Sequence, residues 1–426
     1  MENEISAPPA FRWRSLGWIL VAAAVVTPMG SCQRAVAPDA EPPEIGADWA
    51  VVQEFLDRER AWRKNSREHF RMGAQQGRSP REMRDGLPKP PDFEPALAAA
   101  TAILDLGGAH EKTIEAAEFL VRPMNAHQES GRYFYIGAKA LLAHAPNYQE
   151  WPRVLNEIYS YQTPYGAQVA KFFEEMSSEA EDPVLCANGR YYVAAGMMRA
   201  ANHQFALPTE EREVLRRRAI EVATGLSVGV EEERFLGLDR DGTATHQTLA
   251  EAEVELLRSL RQGTVGGVLP DVTGKRLDGV EERLSDYRGR IVLLDFWATW
   301  CGPCVADLPK LRGLVARLPA DRFAVISISG DEEIGTVTRF VQDEPMPWTN
   351  WHAGEGSDFE RLLRIEGYPS YVLVGEGGKI LTHVPSLIPP FASLIEKAVH
   401  HLEEFGNTKG LDVGITLEDH RSMRPG

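Results

Sequence analysis

The 426-residue chain is long enough for two or three domains, and its formal net charge of −16 argues against a nucleic-acid-binding surface, which needs a basic stripe. The same acidic balance argues against attraction of basic segments to anionic lipid headgroups. No run of roughly 18 or more apolar residues occurs, so no conventional membrane-spanning helix is predicted.

Residues 1–32 have the features of an export signal. Two arginines precede an apolar stretch from Leu16 to Val26, which suits a signal peptide and is short for a membrane span. The segment Met29-Gly30-Ser31-Cys32 resembles a bacterial lipobox, in which small residues precede a cysteine that receives a lipid. We therefore expect Cys32 to be the lipidated N-terminus of a mature lipoprotein. The alternative is a plain cleaved signal or a short anchor, with Cys32 incidental.

Gln33 follows this cysteine. By resemblance to lipoproteins, a residue other than aspartate favours the outer over the inner membrane. The expected location is therefore the cell envelope, on the periplasmic side, with a lipid anchor. Residues 33–46 are rich in proline and poor in apolar groups, which is typical of a tether.

Residues 47–262 show helix after helix. Apolar residues at helical spacing predict helices that include 132–144, 152–162, 166–177, 188–205, 210–226 and 246–261. Short breaks between them indicate antiparallel helical hairpins in an all-α domain. The helix starts are unevenly spaced, so no fixed-period repeat is predicted and a TPR-like solenoid is the weaker alternative.

The helical region offers little recognisable chemistry. Its histidines have no H-E-x-x-H or comparable metal spacing, so they are interpreted as polar surface or core groups. Cys186 is expected to be a small buried residue rather than a third redox thiol. Four tyrosines are expected to pack against other residues rather than line a binding groove: Tyr133, Tyr135, Tyr191 and Tyr192.

Glycines from Gly263 to Gly267 mark a boundary, after which strands and helices alternate over 264–405. Ile291–Trp297 is nearly all apolar, as expected of a central strand buried on both faces, and Pro303–Leu318 has helical spacing. The other predicted elements are a hairpin around 277–279, a strand over 323–329, a helix over 332–342, a hairpin of 371–374 with 379–384, and a helix over 390–404. Residues 406–426 are expected to be disordered.

The sequence Trp300-Cys301-Gly302-Pro303-Cys304 lies between that central strand and the helix that follows it. Backbone N–H groups and the helix dipole at a helix N-terminus favour an anion, so the pKa of Cys301 should fall below the roughly 8.5 of a free cysteine. We expect an exposed Cys301 to attack first and Cys304 to resolve. A zinc half-site or a structural disulfide is the alternative, but no second ligand pair stands nearby and so short a loop constrains the unfolded chain little.

Residues 294–304 resemble the active-site segment of thioredoxins, and 284–290 resemble the lead-in of the TlpA/ResA-like thiol–disulfide oxidoreductases. Pro309 matches the proline that kinks the active-site helix, and residues 367–370 match the loop whose cis-proline faces the disulfide. The resemblance covers about a third of the chain, over 264–405. It implies an α/β thioredoxin-like fold, with a central mixed sheet flanked by helices, after the all-α domain.

The resemblance also implies roles for residues beyond the dithiol. Asp295 matches the buried aspartate that accepts the proton of the resolving thiol, because burial raises a carboxyl pKa; a merely hydrogen-bonded core residue is the alternative. Asp307 stands where the family often has a glutamate near the thiols, although a solvated charge on the helix face is equally compatible. Pro369, if cis, would hold Tyr368 extended beside the disulfide for a substrate strand, and Trp300 would form an apolar docking rim.

The function expected from these features is an exported thiol–disulfide oxidoreductase that reduces protein disulfides, without a cofactor or metal. Its implied partners are disulfides of apocytochrome c or of wrongly oxidised exported proteins, and a membrane electron donor. A peroxiredoxin-like peroxide reductase is an alternative, but that branch needs T-x-x-C and Thr299-Trp300-Cys301 is one residue short. A helical scaffold or binding protein with an accessory redoxin domain is the other alternative.

Overall fold

A computed structural model describes residues 45–76, 78, 86–107, 111–121, 130–160, 162–203, 207–238, 243–385, 387 and 389–411. The predicted export signal, Cys32 and nearly all of the predicted tether lie outside these residues. Ile45, at the end of that tether, already belongs to a helix and is fully buried. Across the described part of the chain, no helix combines the length and apolar character that membrane crossing requires.

The described residues form two compact units. The first contains the residues up to Gly189 and a short segment within 236–245, and the second contains Arg190–Phe235 and the chain from His246 onwards. Residues 190–235 and 246–262 therefore group with the strand-containing region, although their pattern is helical. The boundary expected at Gly263, and independent folding of 264–405, stay predictions.

The first unit is made of consecutive helices, as predicted. They are α1 (Ile45–Gln75), α2 (Glu94–Asp105), α3 (Glu111–Leu120), α4 (Ser130–His144), α5 (Trp151–Ser160), α6 (Gln162–Glu179) and the start of α7 (Pro183–His203). Helices α1 to α4 pack against their neighbours in sequence around a common apolar core. At its centre the Phe55 ring lies 4.7 Å from the Phe93 ring and 5.7 Å from the Phe119 ring. Burying each such side chain stabilises the unit by about 1.5–3 kcal/mol.

The second unit begins with the remainder of α7 and with α8 (Thr209–Ala223) and α9 (Leu249–Gln262). Helix α9 starts three residues later than its apolar pattern predicts, and its cap explains why. The Thr248 hydroxyl accepts the Glu251 N–H at 3.2 Å, and the Glu251 carboxylate accepts the Thr248 N–H at 2.9 Å. This capping box satisfies two backbone donors at the helix end.

The rest of the second unit is built around a mixed sheet. Its elements in chain order are β1 (Thr273–Lys275), β2 (Glu281–Arg283), β3 (Ile291–Trp297), α10 (Gly302–Arg317), β4 (Phe323–Ser329), α11 (Ile334–Asp343), β5 (Thr349–His352), α12 (Asp358–Leu363), β6 (Ser370–Val374), β7 (Ile380–Val384) and α13 (Pro389–Phe405). The sheet order is β5-β4-β3-β6-β7, with β3, β4 and β5 parallel and with β6 and β7 antiparallel to their neighbours. The predicted thioredoxin-like fold is therefore confirmed.

Strand β3 is buried along its whole length and divides two apolar cores. Leu293 and Trp297 pack with α10 and α13, whereas Leu294 and Phe296 pack with α12 on the opposite face. Because successive side chains of a strand point to opposite faces, Asp295 lies on the α10 side of the sheet.

The chain beyond α13 differs from its prediction. The Thr408 hydroxyl donates to the Glu376 carboxylate at 2.6 Å, and Leu411 is buried against the core on the α10 side. The disorder prediction is therefore wrong for residues 406–411, because the turn after Phe405 returns an apolar side chain to the sheet. Residues 412–426 lie outside the described part.

Candidate active site

Cys301 and Cys304 form a disulfide at the N-terminus of α10, with their Cα atoms 5.3 Å apart. Cys301 is the N-cap residue, and its sulfur accepts the backbone N–H of Cys304 at 3.2 Å. Pro303 occupies the first turn, where a helix has no intrahelical use for the missing N–H. The helix end therefore directs N–H dipoles at the Cys301 sulfur, which favours its thiolate after reduction.

The surroundings of the two sulfurs differ from the expectation of an exposed Cys301. Only 5% of Cys301 and 2% of Cys304 is exposed, so that expectation is wrong for the disulfide form. Both cysteines belong to the apolar core against which Tyr368 also packs. The adjacent Trp300 is 67% exposed, so the accessible surface beside the disulfide is aromatic.

Asp331 fixes the loop that carries the disulfide, a role that was not predicted from the sequence. Its two carboxylate oxygens accept the Thr299 N–H at 3.0 Å and the Thr299 hydroxyl at 2.6 Å, and one of them also accepts the Ser329 hydroxyl at 2.8 Å. Charge-assisted bonds of this kind are stronger than neutral ones. The position of Asp331 in the sequence could have indicated this role. Asp331 directly follows β4, and the carboxyl end of β4 lies beside that of the parallel β3.

Asp295 is buried, and its Oδ2 accepts the Ser327 hydroxyl at 2.6 Å. Burial raises the pKa of Asp295 to about 7; the Ser327 hydrogen bond opposes this rise and the nearby charge of Asp307 adds to it. The Ser327 oxygen in turn accepts the indole N–H of Trp348 at 2.8 Å. This carboxyl group can therefore gain or lose a proton near neutral pH.

Asp307 is also buried, so its interpretation as a solvated charge on the helix face is wrong. One oxygen accepts from Lys310 at 2.6 Å, and the other accepts from the Tyr371 hydroxyl at 3.2 Å and from the Leu387 N–H at 3.3 Å. Burial and the charges of Asp295 and Asp307 raise the pKa of Tyr371. Among the described residues Asp295 has no ion pair, so the two carboxylates differ in their access to a cation.

The predicted substrate-contacting residues come together at the disulfide edge of the sheet. The Tyr368–Pro369 peptide bond is cis, and it directly precedes β6. The Tyr368 ring centroid lies 5.7 Å from that of Trp300. Trp300 and Tyr368 thus form one aromatic surface beside Cys301.

The other candidate residues have separate contacts. The Cys186 thiol is half-buried and donates to the Ala180 carbonyl at 3.0 Å. Tyr191 and Tyr192 pack with the ring of Phe235. Within the described ranges, no three His, Cys, Asp or Glu side chains are grouped as metal ligands would be.

Comparisons with known proteins agree with this geometry. The model of the AhpC/TSA family matches residues 265–382. The thiol-disulfide oxidoreductase ResA of Oceanobacillus iheyensis is 29% identical over 120 residues, which cover 27% of this chain and 62% of that protein. The thioredoxin-like protein YneN of Bacillus subtilis is 30% identical over 144 residues, which cover 33% of this chain and 78% of that protein.

A solved thiol:disulfide interchange protein from a Bacteroides species has 25% identity and a TM-score of 0.29; the match covers 32% of this chain and 91% of that one. The chain spans less than two thirds of the ResA relative's own length. It spans more than two thirds of YneN. The family match, over residues 265–382, falls on the unit that holds the Cys301–Cys304 disulfide. Through this C-terminal region, the chain belongs to the family of thioredoxin-like proteins.

Proposed function

We propose that this protein is a thiol–disulfide oxidoreductase that acts on disulfides of other proteins. The observation that carries the proposal is the Cys301–Cys304 disulfide at the start of α10, with the buried Asp295 on the same side of the sheet. A dithiol of this kind exchanges with a substrate disulfide in two successive attacks. The similarity to the thiol-disulfide oxidoreductase ResA supports the same chemistry.

In the reducing direction, the Cys301 thiolate attacks one sulfur of the substrate disulfide. That bond breaks, the first substrate thiolate leaves, and a mixed disulfide with Cys301 forms. Cys304 then gives up its proton and attacks the Cys301 sulfur, which releases the second substrate thiolate. The substrate gains two electrons, and the enzyme loses them as its own disulfide forms.

Asp295 is the proposed acceptor of the Cys304 proton. Its pKa of about 7 allows it to be ionised before this step and protonated after it. Asp307 is less suited to this role because Lys310 already pairs with one of its oxygens at 2.6 Å. We assign Asp307 instead to positioning, since it links α10 to Tyr371 in β6 and to the backbone at Leu387.

The reducing direction is proposed from the residues around the sulfurs. Gly302-Pro303 is the thioredoxin dipeptide, and thioredoxin has a potential of about −270 mV against about −120 mV for a strongly oxidising relative. No histidine lies between the cysteines to stabilise the thiolate further, and the charge of Asp295 opposes it. A destabilised thiolate makes the dithiol a better electron donor.

Peroxide reduction is less well supported than disulfide exchange. The hydroxyl and N–H of Thr299 both donate to Asp331, so this threonine does not serve the attacking sulfur. Cys304 lies within one helical turn of Cys301, a spacing that suits exchange between a dithiol and a substrate disulfide. A test with hydrogen peroxide as the only oxidant would separate the two activities.

Export and lipid anchoring are part of the proposal and rest on the sequence of residues 1–32 alone. In an oxidising compartment a reductant needs an electron supply, so a membrane protein that passes electrons to Cys301–Cys304 is the implied donor. Apocytochrome c or wrongly oxidised exported proteins are the implied substrates. Mass analysis of the native N-terminus tests the anchor: the expected result is a mature chain that begins at a lipidated Cys32, and a Cys32→Ala variant that stays equally membrane-bound would contradict it.

The activity is tested by incubating the reduced full-length protein with a disulfide-containing protein such as insulin. We expect stoichiometric reduction of the substrate and formation of the Cys301–Cys304 disulfide, and no reduction by Cys301→Ser. Equilibration with glutathione buffers should give a potential close to that of thioredoxin. A potential near that of the strong oxidants would show that the protein installs disulfides instead.

A further inference from the structure

Glu360 is completely buried, although carboxylates are rarely found inside a protein without compensating bonds. It lies on α12, on the opposite face of the sheet from the α10 core. Its Oε2 accepts the N–H of Gly356 at 2.7 Å, and its Oε1 accepts the hydroxyl of Tyr368. The tyrosine that precedes the cis-proline is therefore bound at its far end by a buried acid.

Gly330 provides a second, independent restraint on the same ring. It follows β4, and its N–H donates to the carbonyl of Trp297 at 3.0 Å. A Cβ atom at this position would collide with the Tyr368 hydroxyl oxygen and with the ring carbon that carries it. The phenol thus occupies space that any other residue at position 330 would fill.

These two restraints determine which part of the Tyr368 side chain a substrate can contact. Because its hydroxyl is directed inward to Glu360, the ring rather than the polar end faces Trp300 at a centroid distance of 5.7 Å. Trp300 is 67% exposed and directly precedes Cys301. The two rings form an apolar surface beside the attacking sulfur, and its shape is set before a partner arrives. Preorganised contacts of this type avoid the entropy loss of ordering side chains on binding.

We propose that Glu360 is a positioning residue that acts through Tyr368 and makes the protein select disulfides whose cysteines are flanked by bulky apolar residues. This inference rests on the proposed oxidoreductase function and names the substrate class for the same site. Without Glu360, the phenol can turn its hydroxyl toward solvent and the apolar surface is no longer fixed. Selection among polypeptide disulfides would then weaken, while the reactivity of Cys301 itself would not change.

The test uses the reduced full-length protein in single-turnover reactions with three probes: a cystine peptide flanked by leucines, the same peptide flanked by glycines, and bis(2-hydroxyethyl) disulfide. The measured quantity is the ratio of the leucine-peptide rate constant to the small-disulfide rate constant. We expect this ratio to fall about threefold to tenfold in Tyr368→Phe and in Glu360→Ala, which is the effect of leaving one side chain to be ordered on binding. Glu360→Gln keeps a carbonyl acceptor for the hydroxyl and should restore most of the ratio. The rate constant for the glycine peptide should change little in Glu360→Ala and in Glu360→Gln.

Tyr287→Phe is the matched control. The Tyr287 hydroxyl also donates to a glutamate, Glu282 at 2.8 Å, and it contacts Thr349 at the amino end of β5, away from the edge that carries the disulfide. Gly330→Ala displaces the same ring by a different route and should reproduce the loss seen in Tyr368→Phe. A constant ratio in a folded, active Tyr368→Phe, or an equal loss with all three probes, would overturn the inference alone. A wild-type protein inactive on all three probes would overturn the proposed function and this inference with it.

Discussion

The two units of the molecule bury different kinds of polar group. In the described part of the first unit, the buried polar residues are neutral, as in the case of Ser66, Thr113 and Asn188. The second unit buries four acids: Asp295 on β3, Asp307 on α10, Asp331 directly after β4 and Glu360 on α12. Both units have apolar cores of ordinary composition. The contrast therefore lies in charge rather than in the extent of burial.

A buried carboxylate destabilises a fold unless hydrogen bonds or a cation compensate. Asp331 has three donors, Asp307 has a lysine and two donors, and Glu360 has a backbone N–H and a phenol. Asp295 stands apart because, among the described residues, its carboxylate accepts a single hydrogen bond, from the Ser327 hydroxyl. Three of the acids thus have several hydrogen-bond partners and hold neighbouring segments in place. The fourth, Asp295, has a pKa of about 7, close to neutral pH. This difference supports the proposal that Asp295 accepts the Cys304 proton.

The largest effect is expected from the thiols themselves. Cys304→Ser should lower multiple-turnover reduction by on the order of a thousandfold and accumulate mixed disulfides on Cys301, because the resolving attack is lost. Cys186→Ser, in the first unit, is the control and should leave the rate unchanged. Mass spectrometry of the trapped adducts gives the measurement and also identifies substrates. If Cys301→Ser formed mixed disulfides on Cys304 as fast as Cys304→Ser forms them on Cys301, the assignment of Cys301 as the attacking thiol would be wrong.

The next effect is expected from Asp295→Asn, which removes the proposed proton acceptor. The resolving step should slow by about a hundredfold near pH 7, whereas the first attack by Cys301 should change much less. Stopped-flow measurement of the two thiols released from a disulfide substrate separates these steps. Asp307→Asn is the comparison. If Asp307→Asn slowed the resolving step more than Asp295→Asn does, Asp307 rather than Asp295 would be the proton acceptor.

Asp295→Asn should also change the pH dependence of stability. The pKa of Asp295 is about 7 in the folded protein, above the roughly 3.9 of an unfolded aspartate. Between these values the folded state retains a proton that the unfolded state has lost. Its favourable contribution is complete below pH 3.9, declines as the pH rises, and is gone above pH 7. The variant should therefore gain on the order of 4 kcal/mol relative to wild type between pH 4 and pH 8, measured by denaturant unfolding. Thr113→Val, in the first unit, should show no such pH dependence.

A third test concerns where the second unit begins. The N–H of Val265 donates to the Asn202 side chain at 3.0 Å, and Arg364 donates to the Tyr191 hydroxyl at 2.9 Å. A fragment of residues 190–411 keeps these bonds, and one of residues 264–411 loses them along with the apolar surface of α9. We expect the shorter fragment to be less stable by about 2–3 kcal/mol, since buried groups are left unpaired. Equal free energies of unfolding would support the boundary at Gly263 instead.

Much of the fold followed from local patterns. The apolar run of β3 and the spacing of α10 predicted both elements within one residue, because strong periodicity and a proline in the first turn leave few alternatives. The cysteine pair followed from its spacing at a helix N-terminus, and the role of Asp295 followed from resemblance to thioredoxins. The start of α9 and the ordered residues 406–411 were mispredicted, because a cap and a returning leucine act through single side chains rather than through a repeating pattern.

The missed site residues have a common cause. Asp331 and Glu360 act on Thr299 and Tyr368, which are 32 and 8 positions away in the sequence. Such pairs become visible only when the sheet order brings strand ends together. Ser327 could have been found earlier, because pairing β3 with a parallel β4 in register places it opposite Asp295. The burial of Asp307 was not predictable from a helix-face position, since β6 and the backbone at Leu387 cover it.

The smallest predicted effect concerns how the Ser327 hydroxyl sets the pKa of Asp295, the property that separates Asp295 from the other three buried acids. An indole N–H can only donate, so the bond from Trp348 to the Ser327 oxygen leaves the single Ser327 proton for Asp295. Ser327→Ala removes this donor and should raise the pKa of Asp295 further, which shifts the pH midpoint of the resolving step upward by about one unit.

Trp348→Phe leaves the serine in place and should shift that midpoint upward by only a few tenths of a unit, because only the polarisation of the hydroxyl is lost. The groups facing Asp295 from α10 and β6, namely Asp307 with Lys310 and Tyr371, are unchanged in both variants. Trp351→Phe is the matched control, because its indole donates to Glu282 at 3.2 Å and packs on the opposite face of the sheet. The measurement is the rate of release of the second substrate thiol between pH 5 and pH 9. A downward shift in Ser327→Ala, or an equal shift in the Trp351→Phe control, would show that the hydroxyl does not set the proton affinity of Asp295.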